Sequence, residues 1–418
     1  MTEHKDMPKE TGLIENFRLL REGYQYIMNR SDKFGTPVFE TNLLGETGIC
    51  LIGKEAAEIF YDNDRFKREN AAPKLAQKTL FGEGGVQGLD GERHHNRKAM
   101  FMSLMSKESL NEVQAIFAEK WERYSKKWEA EEEIILYHEV KKMLTETAFE
   151  WTGVPLQNDE LVDWTDELSD MFEGAANIGW KHWQARRSRS KAEEWLEALV
   201  EKVRSQEIHP DEQRALYQFS FHTNPNGELL APSIVAVELL NLLRPIVAIS
   251  VYVDFTALAV YEYPEEAAKV KNGGKEEQQR FIQEVRRFYP FFPFAAARVK
   301  RDFKWKGYMF KKDTLTLLDL YGTNHHPEVW EQPELFAPDR FLSWSGSPFD
   351  FIPQGGGEYE IGHRCAGEWM TVHLLRVAVD YLVNHLSYTI PKQDLNYSMN
   401  DIPSLPESKM RLADVKKI

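Results

Sequence analysis

Residues 351–367 read Phe-Ile-Pro-Gln-Gly-Gly-Gly-Glu-Tyr-Glu-Ile-Gly-His-Arg-Cys-Ala-Gly. A glycine-rich loop runs into one cysteine, Cys365, and the apolar spacing from Gly367 to about His385 predicts a helix. A thiolate at a helix N-terminus is favoured by the dipole and the free N–H groups. Gly367 lets the backbone approach closely. A lone thiolate in such a loop suits the single axial ligand of a haem iron; a buried structural cysteine fits the same residue. Cys50 lies in the strand-like stretch Gly48-Ile-Cys50-Leu-Ile52 and reads as core. Two cysteines in 418 residues exclude a disulfide framework and cysteine-rich zinc or iron–sulfur sites.

Upstream of the loop, helical periodicity spans residues 107–129, 139–153, 159–174, 190–203 and 233–261. Strand signals cover 37–52, with a turn at Leu44-Gly45, and a hairpin within 299–320 that turns near Lys306-Gly307. No β–α alternation, repeat or flexible linker appears. The expectation is a mainly α chain with a small β component, forming one domain over residues 1–418. The formal charge is −14, from 52 Lys+Arg against 66 Asp+Glu, which argues against non-specific nucleic-acid binding. Hydrophobic residues at 42% supply a large core. The N-terminus has no apolar region of the secretory type. Residues 233–261 are long enough to cross a bilayer, but Glu238, Arg244 and Asp254 interrupt them, so a buried helix in a cytoplasmic protein is expected.

Two further motifs precede the loop. Glu284-Val-Arg-Arg287 places Glu and Arg three apart on one helix face, and Pro338-Asp-Arg340-Phe341 follows. A buried Glu–Arg–Arg cluster would compensate its own charges. With Cys365-Ala-Gly367 after them, this ordered set resembles the cytochrome P450 superfamily. The resemblance implies the single-domain cytochrome P450 fold and haem b as cofactor. It implies Cys365 as the metal ligand, and Glu284, Arg287 and Arg340 as structural supports. Two positions of the ligand loop depart from the usual pattern, holding Glu358 and Ile361.

The long apolar helix departs further. Oxygen-activating members carry an acid–alcohol pair there, whereas this chain reads Asn241-Leu-Leu-Arg244-Pro245. Pro245 is expected to kink the helix and free a carbonyl. Arg244 is a permanent cation in apolar surroundings and needs an anion, either an internal Glu238 or Asp254 or a substrate carboxylate. Arg244-Pro245, the loop Gln354-Gly-Gly-Gly357, the run Phe-Tyr-Pro-Phe-Phe-Pro-Phe at 288–294 and Leu318-Asp-Leu-Tyr-Gly-Thr-Asn-His325 resemble the fatty-acid peroxygenase branch.

That resemblance implies a long-chain fatty acid and hydrogen peroxide as substrates, without a redox partner. It implies Arg244, Pro245 and Gln87 at the reaction site. Arg244 would hold the carboxylate, which then replaces the missing acid–alcohol pair as proton carrier. Hydroxylation at the α or β carbon, or decarboxylation to a terminal alkene, would follow. Gln87 in place of histidine points to hydroxylation, because an amide cannot donate as imidazolium does. By the same resemblance Phe81, Phe291 and Phe294 line the acyl channel, although each also fits ordinary core. Arg68, His94, Lys98 and His363 would bind the haem propionates; a solvated basic helix start also fits His94-His95-Asn96-Arg97-Lys98, and is the expectation for Arg97. A reductase-dependent cytochrome P450 monooxygenase and a non-catalytic haem-thiolate sensor are the competing readings.

Overall fold

The computed structural model describes residues 5–10, 15–43, 45–175 and 179–418. The chain is about 53% helical and 12% strand. The helices form the larger body, and its core holds the apolar faces of Lys107–Trp128, Leu136–Thr152, Leu161–Glu173, Trp180–Arg204, Pro232–Ala248, Ser250–Glu262 and Glu368–Asp380. The expected helices are therefore present. The one that was read from residue 190 starts ten residues earlier, at Trp180. Its first turns are exposed and carry Lys181, Trp183, Arg186 and Arg187, so no apolar stripe marks them in the sequence.

A five-stranded sheet packs to one side. Its order is Val38–Leu43, Glu46–Leu51, Leu315–Asp319, Phe294–Val299, Phe66–Lys67. Glu46–Leu51 runs parallel to Leu315–Asp319, and the other pairs are antiparallel. The first two strands form the expected hairpin; of its turn, Leu44 lies outside the described residues. Phe303–Trp305 and Tyr308–Phe310 form the second hairpin, turning at Lys306-Gly307 with φ of 50° and 84°. Leu315–Asp319 leaves that hairpin to join the larger sheet, because its side chains are all buried and need two neighbouring strands.

The apolar run Pro232–Glu262 is long enough to cross a membrane, and most of it is buried inside the protein. It runs through Pro245 as regular helix to Ala248. The interruption falls at Ile249, whose N–H bonds back three residues to Ile246 at 3.2 Å. Pro245 costs the helix one hydrogen bond, to the carbonyl of Asn241.

The Glu–Arg–Arg cluster ties the helix Lys275–Phe288 to the loop that follows the sheet. Arg287 donates to both carboxylate oxygens of Glu284 at 2.8 Å, and Arg340 Nε to Oε1 at 3.1 Å. Arg287 also donates to the carbonyls of Asn324, Pro333 and Leu335, and Glu284 accepts from Ala337 N–H. Glu284 and Arg287 are wholly buried. Glu284→Ala leaves two guanidiniums uncompensated and is expected to cost about 3–5 kcal/mol. A urea titration followed by circular dichroism checks this; an unchanged midpoint would mean that the cluster carries no stability.

Candidate active site

The ligand loop is shaped by close packing. Gly357 has a φ of 84°, and a Cβ there would meet the Tyr61 Cβ at 3.1 Å and its ring at 3.2 Å. The loop returns to the helix Glu368–Asp380 with Cys365 just ahead of it, the Cys365 N–H bonding Gln354 O at 3.3 Å. Burial pushes the Cys365 thiol up, against the pull of Lys98, the Gly367 N–H and Arg286. A coordinated metal ion would hold it as the thiolate outright.

Arg286 and Glu368 hold this region together, and sequence reasoning missed both. Arg286 is 1% exposed and donates to Glu368 at 2.7 Å, Gln354 at 3.1 Å and Gln283. Arg364 Nε also donates to Glu368. Arg286 adjoins the Glu284/Arg287 pair, and that adjacency was the available signal.

Arg68, His94, Lys98 and His363 are all buried or nearly so, and they converge beside the loop. His94 and His363 stack with centroids 3.9 Å apart. Lys98 Nζ donates to the Arg364 carbonyl. Arg68 has one long bond, to Phe60 O at 3.3 Å, and lies over the Phe60 ring. Asp90 is the acid among them, accepting from the N–H groups of Arg68 and Glu69 and lying 3.7 Å from His363 Nε2. Although burial raises it, those donors hold Asp90 down to about 2. Burial, with His363 and Lys98 nearby, pushes His94 down to about 3, and burial pushes His363 to about 4. Buried donors so short of anionic partners fit a group bearing two carboxylates. With one thiol facing the same space, the set fits haem. Among the described residues, no three His, Cys, Asp or Glu are grouped as a metal site of their own.

On the central helix, Glu238, Asn241 and Arg244 recur at every third residue and share a face. Arg97 is buried, not solvated as expected, and donates to Glu238 at 2.6 Å. Glu238 is therefore taken. Asp254, the other internal candidate, is fully buried with both carboxylate oxygens unbonded, and burial pushes its carboxyl well up, towards the neutral form. Arg244 makes no hydrogen bond or ion pair among the described residues, and its Nε is buried without an acceptor. Burial, then the neighbouring Arg189, pushes its guanidinium down to about 9, still cationic at neutral pH.

Asn241 Nδ2 links the helix to the segment before Gly91–Met102. It donates to Glu238 Oε2 at 3.0 Å, Phe81 O at 3.1 Å and Gln87 Oε1 at 3.3 Å. Gln87 is thus brought to the face that carries Arg244. Phe81 packs, partly buried, against the helical core. Phe291 stacks on Tyr252, two turns beyond Arg244, at 4.2 Å. Phe294 stands elsewhere: it lies in the sheet and packs with the cluster around Tyr26 and Phe39. Phe292 and Pro293 separate these phenylalanines, and residues three apart in extended chain point to opposite sides.

A family model for cytochrome P450 matches residues 278–412. Cytochrome P450EX alpha (CYP152N1), solved with myristic acid, is 49% identical with a TM-score of 0.96, the match covering 99% of this chain and all of that one. Cytochrome P450 OleT, solved as a variant with arachidonic acid, is 34% identical with a TM-score of 0.96, covering 99% of each. Among curated proteins, the putative cytochrome P450 138 of Mycobacterium tuberculosis is 23% identical over 384 residues, 83% of each chain.

Proposed function

The chain belongs to the cytochrome P450 family, and from that premise we propose that it is a peroxygenase. In this reading it uses hydrogen peroxide to hydroxylate long-chain fatty acids at the α or β carbon, with decarboxylation to terminal alkenes as a side reaction. Its cofactor is haem b. The observation that carries the reading is Arg244, a buried guanidinium with no anion of its own. Both internal acids that could neutralise it are excluded, one by Arg97 and the other by its missing contacts. An incoming carboxylate completes the site, and bidentate pairing fixes its orientation.

Cys365 would ligate the iron, with Arg68, His94, Lys98 and His363 on the propionates. Bound haem supplies peroxide activation and carbon–hydrogen oxidation, the thiolate favouring O–O cleavage. The chain's own work is positional. Arg244 holds the substrate carboxylate, so the α and β carbons are the nearest to the reaction site. Acid–base work falls to the carboxylate oxygens held at the Arg244 Nη atoms, since Arg244 and Pro245 stand where an acid–alcohol pair would be. Gln87 adds a neutral amide that donates weakly and carries no exchangeable charge, which favours hydroxylation. Phe81 and Phe291 present apolar surface to the acyl chain and exclude water. One domain, a cytoplasmic location and independence from redox partners belong to the same reading.

Product analysis tests it. Haem-loaded protein, hydrogen peroxide and a saturated long-chain acid, with no reductase, are expected to give α- or β-hydroxy acids as the main products. No product with peroxide, but turnover with a reductase and dioxygen, would move the chain to the conventional monooxygenases.

A further inference from the structure

We propose that the buried Arg97–Glu238 pair is a positioning device that fixes which end of the Gln87 amide faces the reaction space. The inference rests on the haem-dependent reading above and adds two residues to it.

Glu238 is completely buried and receives two donors, Arg97 Nη1 at 2.6 Å and Asn241 Nδ2 at 3.0 Å. An ionised carboxylate can only accept, and so can the Phe81 carbonyl. Asn241 must therefore turn its NH2 towards both. That orientation obliges Gln87 to turn its carbonyl oxygen to Asn241, at 3.3 Å. The Gln87 NH2 is then directed away from the cluster. The chain of constraints starts at the charge on Glu238 and ends two residues away, at a donor pair on the far side of Gln87. Gly85 keeps the cluster closed: a Cβ there would lie 2.7 Å from Phe81 O and 3.0 Å from both Asn241 Nδ2 and Gln87 Oε1.

Arg97 maintains the charge. Burial pushes the Glu238 carboxyl up, and Arg97 is the cation that opposes it. The outer side of Arg97 borders a cavity of about 230 Å³, lined also by Arg93, Asn96 and Asn224. Replacing Glu238 by Gln, whose oxygen turns to Arg97 and whose NH2 turns to Asn241, leaves the Phe81 carbonyl alone to orient Asn241 against an opposing donor, so Asn241 and then Gln87 can turn over.

The test is the C–O stretching band of the ferrous carbon monoxide adduct, read by infrared without fatty acid or peroxide. It reports a donor near the distal face and depends on haem binding only, so it stands or falls separately from the turnover test. Gln87→Leu is expected to raise the band. Glu238→Gln is expected to move it towards that position or split it in two. Arg97→Met should follow Glu238→Gln, and Arg97→Lys, which keeps a cation, should restore the wild-type band. In turnover, Glu238→Gln is expected to change the ratio of α-hydroxy, β-hydroxy and alkene products by about fivefold, the scale of one hydrogen bond. A wild-type band in folded Glu238→Gln or Arg97→Met, or a Gln87→Leu band equal to wild type, would overturn the proposal.

Discussion

Arg244→Leu is expected to lose fatty-acid oxidation by roughly a hundredfold or more in kcat/KM while keeping its haem. A desolvated charge pair with a carboxylate is worth about 2–5 kcal/mol, and each 1.4 kcal/mol is about tenfold. Misplacement of the α and β carbons adds to the loss. Arg244→Lys should recover only part, because an ammonium holds a carboxylate as a point charge and not through a fork. The same substitution has an opposite effect on stability. Arg244 is a buried cation without a partner, so the leucine variant should melt at a higher temperature than wild type when no fatty acid is present. Excess fatty acid should raise the melting temperature of wild type, by linkage, and leave the variant where it is. A variant that is inactive and also less stable would mean that Arg244 has an internal role instead.

Cys365→Ala is expected to abolish turnover and to remove the thiolate signature from the haem spectrum. Cys365 is the one cysteine in the loop, and the other, Cys50, is fully buried within the strand Glu46–Leu51 with its thiol pushed far up by burial. The chain has no third cysteine to supply a thiolate in its place. The surroundings of Cys365 should survive the change, because Arg286, Glu368, Arg364 and Gln354 are bonded to one another and not to the sulfur. The variant should therefore fold and bind some haem through the cluster of Arg68, His94, Lys98 and His363. A thiolate-type carbon monoxide difference spectrum from Cys365→Ala would contradict the ligand assignment.

Local patterns carried most of what was readable in the sequence. Glu284 and Arg287 are three apart, Cys365 ends a glycine-rich loop, and Arg244-Pro245 are adjacent, so their order and spacing carried the family resemblance. Contacts between distant segments were not readable. Arg97 sits at a helix start among basic residues and reads as solvated, yet its partner lies 141 residues away. The stacking of His94 on His363 and the bond from Asn241 to Gln87 are of the same kind. Glu238 and Asn241 carried a usable signal, because they precede Arg244 at intervals of three on one helix face. By resemblance Phe291 and Phe294 line one acyl channel, whereas the chain passes from the helical core into the sheet between them and packs them in different clusters.

The central claim is that the orphan guanidinium of Arg244 waits for the carboxylate of the substrate. The most direct test compares a saturated long-chain acid with its methyl ester, under hydrogen peroxide and without reductase, by gas chromatography–mass spectrometry. The free acid is expected to be oxidised at the α or β carbon and the ester to remain unchanged. Equal oxidation of both, or oxidation spread along the chain, would contradict the account.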